Sequence, residues 1–270
     1  MDPVKAIDAR RMRSNFCEHA CEYDRYAAVQ KRVIRRFLAR LERTAVLAGP
    51  VLDIGTGTGG LAASFQQRYP SSSLVVMDIA HGMTLQASRR LDGIDACDGD
   101  ARALPFRDAA FQTVISSSVY QWVSKLPAAF HEVSRTLRKG GLFAVALFGE
   151  QTLCELKDSH RRAVGEYHGK RASHVQSFPA RDDDCMALSQ AGLHCLELEV
   201  YPEVDYHANV PALLRQLKQI GASNAAKDRP RGLSSRRVMQ TMMSYYEENY
   251  RCEEGLPATY EVIMAVASKK

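Results

Sequence analysis

The chain has 270 residues, a net charge of +5 and a hydrophobic fraction of 46%, so it can form one domain, or one domain with insertions. Its apolar runs have only strand length and its first residues lack an apolar signal stretch, so we expect neither a membrane span nor secretion. The 7 cysteines are scattered without a C-x-x-C pair, which predicts reduced thiols, a cytoplasmic location and no metal site.

The first predicted element is a helical segment over residues 1–45, which we interpret as part of a lid over the substrate. Basic residues crowd this segment, and apolar residues interleave at helical spacing, which indicates an amphipathic helix with a basic outer face. That face is either a solvated surface, which is the commoner outcome, or a docking surface for an acidic partner. Its basic residues are Lys31, Arg32, Arg35, Arg36, Arg40 and Arg43.

Strand and helix signals alternate after this segment. This alternation predicts an α/β fold, a doubly wound Rossmann-like sheet of seven mostly parallel strands with helices on both faces. The predicted strands cover residues 50–54, 73–77, 95–98, 111–116, 141–148, 193–201 and 259–267.

Two segments break the alternation and are interpreted as insertions. Residues 150–180 form the first, and residues 203–256 form the second, a helical lid beside the strand ends where such folds bind ligands. The core that they interrupt comprises residues 46–149, 181–202 and 257–270.

A glycine-rich turn follows the first predicted strand, and residues 51–59 read V-L-D-I-G-T-G-T-G. A dinucleotide site requires G-x-G-x-x-G, and here the third glycine comes one residue too early. The D-x-G-x-G-x-G form resembles the first motif of class I S-adenosylmethionine-dependent methyltransferases. In that superfamily the backbone approaches an amino-acid moiety instead of a pyrophosphate.

Acidic residues end the first three predicted strands. We expect Asp53 to lie near the ammonium of a bound amino acid and Asp78 to accept the ribose hydroxyls. The resemblance implies that Asp100 meets the adenine amino group. Each acid alone is equally compatible with a helix cap or a turn, but the three together with the glycines favour a site. The residues predicted to bind S-adenosyl-L-methionine are Asp53, Gly55, Thr56, Gly57, Gly59, Asp78, Ile79, Met83, Asp100, Ala101 and Ser116.

Four further stretches resemble one methyltransferase family over the whole chain. They are residues 15–23, 119–122, 214–222 and 256–262, and they are similar to the leader, the fourth-strand exit, the late helix and the last strand of malonyl-[acyl-carrier protein] O-methyltransferases of biotin synthesis. This resemblance implies methylation of the free carboxyl of malonyl carried on acyl carrier protein, or on coenzyme A.

A carboxylate is already ionised at neutral pH, so this reaction needs no general base and we assign no catalytic residue. We expect a cation to hold the oxygen that does not react, and Arg215 in the second insertion is the candidate. The residues predicted to bind substrate are Tyr23, Gln30, Tyr120, Gln121, Arg215 and Tyr260. The basic residues expected to attract the acidic carrier are either Arg32, Arg36 and Arg40, or Lys227, Arg229, Arg231, Arg236 and Arg237.

Three other functions remain open at this point. The cofactor motifs also permit a methyltransferase for a small carboxylic acid or a quinone precursor. A nucleic-acid partner is not expected, because the fourth strand lacks the N-P-P-[YF] motif of base methyltransferases. A non-catalytic scaffold is disfavoured by the full set of acids and glycines.

Overall fold

The computed structural model of the chain describes residues 7–44, 49–168, 178–222, 225 and 235–270. Its strands are β1 (Val51–Ile54), β2 (Leu74–Asp78), β3 (Asp95–Asp98), β4 (Phe111–Ser117), β5 (Leu137–Phe148), β6 (Leu193–His207) and β7 (Leu256–Lys269). Its helices are α1 (Ala9–His19), α2 (Tyr23–Tyr26), α3 (Ala28–Thr44), α4 (Gly60–Arg68), α5 (His81–Arg90), α6 (Leu126–Thr136), α7 (Cys154–His168), α8 (Arg181–Gln190), α9 (Val210–Gln219) and α10 (Arg236–Tyr250).

The strands form one sheet in the order β3-β2-β1-β4-β5-β7-β6. Strands β1 to β5 pair in parallel, whereas β7 pairs antiparallel with both β5 and β6. The strand order reverses between β1 and β4, and the carboxyl ends of these strands flank the crevice where α/β sheets bind ligands. The prediction of a doubly wound, mostly parallel sheet of seven strands is confirmed.

An apolar core covers each face of the sheet. Strand β1 is buried along its whole length, as expected for a parallel strand that is covered on both faces. One core contains Leu38 of α3 and Phe65 of α4, and the other contains Phe130 of α6, Phe143 of β5 and Leu188 of α8. In the described part of the chain, none of the helices is both long and apolar enough to cross a membrane.

Helices α7, α9 and α10 occupy the described parts of the two predicted insertions. The sheet reaches further into the second of these than predicted, because β6 continues to His207 and β7 begins at Leu256. These two residues pair with each other, and Glu203 pairs with Tyr260. The predicted strand ended at Tyr201 because Pro202 follows it, and a proline argues against a continuing strand.

Part of the basic face of α3 lies against β6. Arg36 Nη2 donates to Glu199 at 2.5 Å, and Arg40 Nε donates to Glu197 at 2.6 Å. Arg32 pairs with two further acids of the same strand. Internal carboxylates therefore partly neutralise these three arginines, and the contact of this face with an acidic partner stays a prediction.

The second predicted basic surface is only partly described. Its residues Lys227, Arg229 and Arg231 lie outside the described residues. Arg236 and Arg237 begin α10, and both are exposed. These two arginines are therefore available to a partner.

Candidate active site

A cavity of about 630 Å³ lies at the carboxyl ends of β1, β2 and β4 and continues beneath helices α1 to α3. This volume is typical of a pocket that takes a cofactor together with a small substrate group. Nine of the residues predicted to bind the cofactor line it, and so do two of those predicted to bind substrate. They are Asp53, Gly55, Thr56, Gly57, Asp78, Ile79, Met83, Asp100 and Ala101, together with Tyr23 and Gln30.

The glycine-rich turn requires glycine at its first position. Gly55 has a φ of +68°, and a Cβ built on it would lie 2.2 Å from Cγ2 of Val119. Its N–H donates to the carbonyl of Met77 at 2.7 Å, which holds the turn against β2. A side chain at this position would therefore clash and would adopt a backbone conformation that L-residues disfavour.

Only one oxygen of the Asp53 carboxylate has a hydrogen-bond partner in the described structure. It is fully buried, and Oδ2 accepts a hydrogen bond from Thr56 Oγ1 at 2.8 Å. Oδ1 has no hydrogen-bond partner among the described residues, and Asp53 lines the cavity. Burial raises the pKa of Asp53 to about 7, and the charge of Asp78 adds to that rise. An unpartnered buried carboxylate oxygen fits a bound ammonium group.

Asp78 ties the end of β2 to the glycine-rich turn. Its Oδ2 accepts from the N–H of Gly57 at 2.9 Å, and its Oδ1 accepts from the N–H of Ala80 at 2.8 Å. Burial raises its pKa to about 6, while these backbone hydrogen bonds oppose the rise. Each oxygen retains lone pairs, so the carboxylate can also accept hydroxyl groups from a ligand.

Asp100 is held by a neighbour that the sequence analysis missed. Arg102 Nε donates to Asp100 at 2.9 Å, its Nη2 donates at 2.5 Å, and both residues line the cavity. The guanidinium lowers the pKa of Asp100, so this carboxylate stays ionised. Asp100 and Arg102 are two positions apart in the sequence, and this spacing of opposite charges could have indicated the ion pair.

The end of β4 presents different serines from the one predicted. Ser116 is fully buried, its Oγ donates to the carbonyl of Ile54 at 2.8 Å, and it does not line the cavity. Ser117 and Ser118 do line the cavity, and their hydroxyls have no hydrogen-bond partner among the described residues. Successive strand residues face opposite sides, so a shift of one residue changes which hydroxyl reaches the cavity.

The N-terminal helices cover the cavity with an aromatic contact. Phe16 of α1 and Trp122 meet edge to face, with ring centroids 5.5 Å apart, and both line the cavity. Tyr23 lies beside them, and burial raises the pKa of its hydroxyl, helped by the charge of Asp78. The spacing of Met12 and Phe16 on one helix face was the signal that could have identified this cover.

Besides Ser116, five predicted site residues do not line the cavity: Gly59, Tyr120, Gln121, Arg215 and Tyr260. Tyr120 is fully buried, and its ring packs against Phe130 with centroids 4.9 Å apart. Gln121 is also buried. Tyr260 packs against Phe148 at 5.3 Å.

Gly59 and Arg215 lie outside the cavity for different reasons. Gly59 precedes α4 with a φ of +81°, and an added Cβ would lie 3.2 Å from Cα of Ala87, so this glycine serves helix packing. Arg215 is exposed on α9. Arg215 does not line the cavity, so its contact with substrate stays a prediction.

No group of three or more histidine, cysteine or acidic side chains within the described ranges is arranged to hold a metal ion. The polar groups that face the cavity are instead hydrogen-bond acceptors and donors at the glycine-rich turn and the ends of β2 and β4. This set fits a nucleoside that carries an amino acid.

Comparison with known proteins agrees with this fold and site. The family model for a methyltransferase domain matches residues 51–141. A solved structure from Bacillus halodurans, described as a methyltransferase, superposes with a TM-score of 0.60 at 17% identity, covering 86% of this chain and 98% of that one. The fold and the glycine-rich cavity thus define a class I methyltransferase.

Two relatives identify the family. A malonyl-[acyl-carrier protein] O-methyltransferase of Geobacter sulfurreducens is 44% identical and covers 97% of this chain and 100% of the relative. One of Nitrosospira multiformis is 34% identical, with coverages of 97% and 90%. The chain belongs to the malonyl-[acyl-carrier protein] O-methyltransferase family, which confirms the resemblance seen in the sequence.

Proposed function

We propose that this protein transfers a methyl group from S-adenosylmethionine to the free carboxyl of malonyl-acyl carrier protein, the first step of pimeloyl synthesis for biotin. The observation that carries this proposal is one cavity that combines the glycine-rich turn and its acids with neutral donors from the N-terminal helices. The 44% identity to the Geobacter sulfurreducens relative, which extends over 97% of this chain, supports the malonyl thioester as the substrate.

Three carboxylates would hold the cofactor. Asp53 would pair with the ammonium through its unpartnered Oδ1, Asp78 would accept the ribose hydroxyls, and Asp100 would accept the adenine amino group. Ser117 and Ser118 offer hydroxyls where the methionine part would lie. When bound, the cofactor supplies an electrophilic methyl group on a sulfonium.

The malonyl carboxylate needs alignment and not activation, because it is ionised at neutral pH. One of its oxygens forms a bond to the methyl carbon while the carbon–sulfur bond breaks. The products are a neutral methyl ester and a neutral thioether, so no proton moves. The protein therefore has to orient the carboxylate and exclude water.

Neutral donors suit the oxygen that does not react. Tyr23 keeps its proton because burial raises its pKa, and Gln30 is nine-tenths buried in the cavity wall. We infer that these two side chains hold the carboxylate, since a neutral hydrogen bond reduces its nucleophilicity less than a cation does. Three of the guanidinium groups in the wall already pair with carboxylates, namely Arg32, Arg90 and Arg102.

The carrier would meet the protein through its acidic surface. Arg236 and Arg237 at the start of α10 are the exposed described members of the basic surface that we assign to this contact. Malonyl-coenzyme A, which lacks that surface, is the alternative substrate. All 7 cysteines are free thiols, which is consistent with a cytoplasmic enzyme.

Mass spectrometry of malonyl-acyl carrier protein incubated with the enzyme and S-adenosylmethionine tests this proposal. We expect the carrier to gain one methyl group, and cleavage of the thioester should then release monomethyl malonate. Acetyl-acyl carrier protein, which has no free carboxyl, is the matched control and should gain none. Methylation of small acids or quinone precursors but not of malonyl thioesters would instead support a small-molecule methyltransferase.

A further inference from the structure

The short helix α2 is fastened to the glycine-rich turn through one carboxylate. Asp24 Oδ1 accepts a hydrogen bond from Thr58 Oγ1 at 2.6 Å, and Asp24 Oδ2 accepts from Arg90 Nη1 at 2.9 Å. Arg90 Nη1 also donates to the carbonyl of Thr58 at 3.2 Å. Asp24, Thr58 and Arg90 thus form a closed set of contacts, which we call the α2 latch.

The opposite end of α2 is fastened to the second insertion. Gln216 Nε2 of α9 donates to the carbonyl of Tyr26 at 3.1 Å and to Asp205 Oδ2 at 3.2 Å. Lys31 Nζ also donates to the backbone carbonyl of Asp24. Helix α2 therefore bridges the cofactor side of the cavity and α9.

Two cavity-lining donors lie on either side of this bridge. Tyr23 directly precedes Asp24, and Gln30 lies in the first turn of α3 that follows. Neither side chain contacts Thr58 or Arg90 through a hydrogen bond in the described structure. Their positions relative to the glycine-rich turn consequently depend on the backbone that Asp24 anchors.

We propose that Asp24 is a positioning residue, which sets Tyr23 and Gln30 at the correct distance from the transferred methyl by holding α2 on the glycine-rich turn. This inference rests on the proposed function, because it assigns substrate alignment to these two side chains. Asp24 acts through its neighbours and does not itself touch the reacting atoms. Movement of about 1 Å in such groups can lower a rate about 100-fold.

The test measures kcat for malonyl-acyl carrier protein and the Kd of S-adenosylmethionine for Asp24→Ala, Thr58→Val and the double variant. We expect kcat to fall by about 10- to 100-fold in each single variant, with a smaller change in the cofactor Kd. The double variant should be no slower than Asp24→Ala, because both changes remove the same contact. Asp92→Asn, an exposed aspartate outside the cavity, is the control and should match the wild type.

The single tryptophan gives a second readout that does not depend on turnover. Trp122 packs against Phe16 of α1, and α1 leads into α2, so loss of the latch should shift Trp122 emission to longer wavelength. Unchanged kcat and unchanged emission in a folded Asp24→Ala protein would overturn the inference. If Asp24→Ala does not fold, Thr58→Val removes the same hydrogen bond. Its kcat and its Trp122 emission then test the role of Asp24.

Failure of the proposed function has a different signature. In that case the wild-type protein would leave malonyl thioesters unmodified, whereas Asp24→Ala would still shift Trp122 emission. An active wild type together with an equally active latch variant would reject only the role of Asp24.

Discussion

The guanidinium of Arg36 lies over the ring of Tyr201, with Cζ 3.5 Å from the ring centroid, while Nη2 donates to Glu199 at 2.5 Å. Helix α3 is thereby attached to the edge strand β6 by stacking and by charge. The same helix carries Gln30 into the cavity. The basic stripe of α3 therefore supports, from within the fold, the position of Gln30, which is predicted to bind substrate.

Arg36→Ala should lower the free energy of unfolding by about 1 kcal/mol, since the side chain loses a partly exposed cation–π contact and an ion pair. Urea denaturation measures this change. Arg43→Ala, in the last turn of the same helix, should stay within about 0.5 kcal/mol of the wild type. The KM for the carrier should be unchanged in both variants, and a large rise in KM for Arg36→Ala would instead indicate that this face docks the carrier.

The affinity for S-adenosylmethionine should rise between pH 6 and pH 8. Burial raises the pKa of Asp53 to about 7, so below that pH the carboxylate is protonated and cannot pair with the ammonium. We expect Kd to fall about 10-fold over this interval as the ionised fraction increases. Calorimetry at a series of pH values measures it, and Asp53→Asn should bind weakly with a flat profile. A steep profile in that variant would point to another group.

The same group has the opposite effect on the protein without cofactor. The pKa of Asp53 is higher in the folded state than its ordinary value of 3.8, so the folded state binds more protons between these values. Its contribution to stability is therefore present at low pH and is lost as the pH rises toward 7. Thermal unfolding with and without cofactor across this range should show the ligand-induced increase in Tm growing with pH.

Asp78→Ala should weaken cofactor binding by at least about 100-fold, because two backbone N–H groups lose a charged acceptor and the ribose loses its own. Calorimetry gives the Kd. Asp95→Asn, on the exposed surface of neighbouring β3, provides the comparison and should bind as the wild type does. Equal binding by Asp78→Ala would place the ribose elsewhere.

Tyr23→Phe and Gln30→Leu should each lower kcat about 10-fold or more while leaving the cofactor Kd within a few-fold, since each removes one neutral donor to the carboxylate. Arg215→Ala is the informative comparison, because Arg215 is exposed and does not line the cavity. We expect it to keep most of the wild-type kcat. If Arg215→Ala is the slowest of the three, α9 closes over the substrate and a cation holds the carboxylate.

Substitutions at two glycines with left-handed φ values distinguish the cost of a steric clash from the cost of backbone strain. Gly55→Ala should destabilise the fold by about 3 kcal/mol or more, because its Cβ would lie 2.2 Å from Val119. Gly140 has a similar φ of +72°, but a Cβ there meets nothing within 4 Å. Gly140→Ala should therefore cost only about 1 kcal/mol. Equal losses in urea denaturation would mean that the clash at Val119 relaxes.

Local patterns in the sequence were enough to locate the glycines and acids that line the cavity at the strand ends. The glycines and the acids at residues 53, 78 and 100 are close in sequence to the strands that place them, so strand ends alone bring them together. The error at Ser116 is a shift of one residue, which reverses the direction of a side chain in a strand. Such errors follow from uncertain register and not from a wrong fold.

The contacts of the N-terminal helices could not be predicted in the same way because they join distant segments of the chain. The acids that neutralise Arg36 and Arg40 lie in β6, far along the chain, and no local pattern identifies them. Tyr120 shows the converse case. It follows β4 at the expected position, but it packs into the core against Phe130, whereas Val119 and Trp122 line the cavity.

The sheet order has a consequence for how the chain is made. Strand β7 follows β6 in sequence but lies between β5 and β6 in space. While the ribosome is still producing α9 and α10, β6 has no strand beside it to accept its hydrogen bonds. Nascent protein must keep that long edge away from other chains until β7 emerges, so this interval of translation is when aggregation and chaperone binding should be greatest.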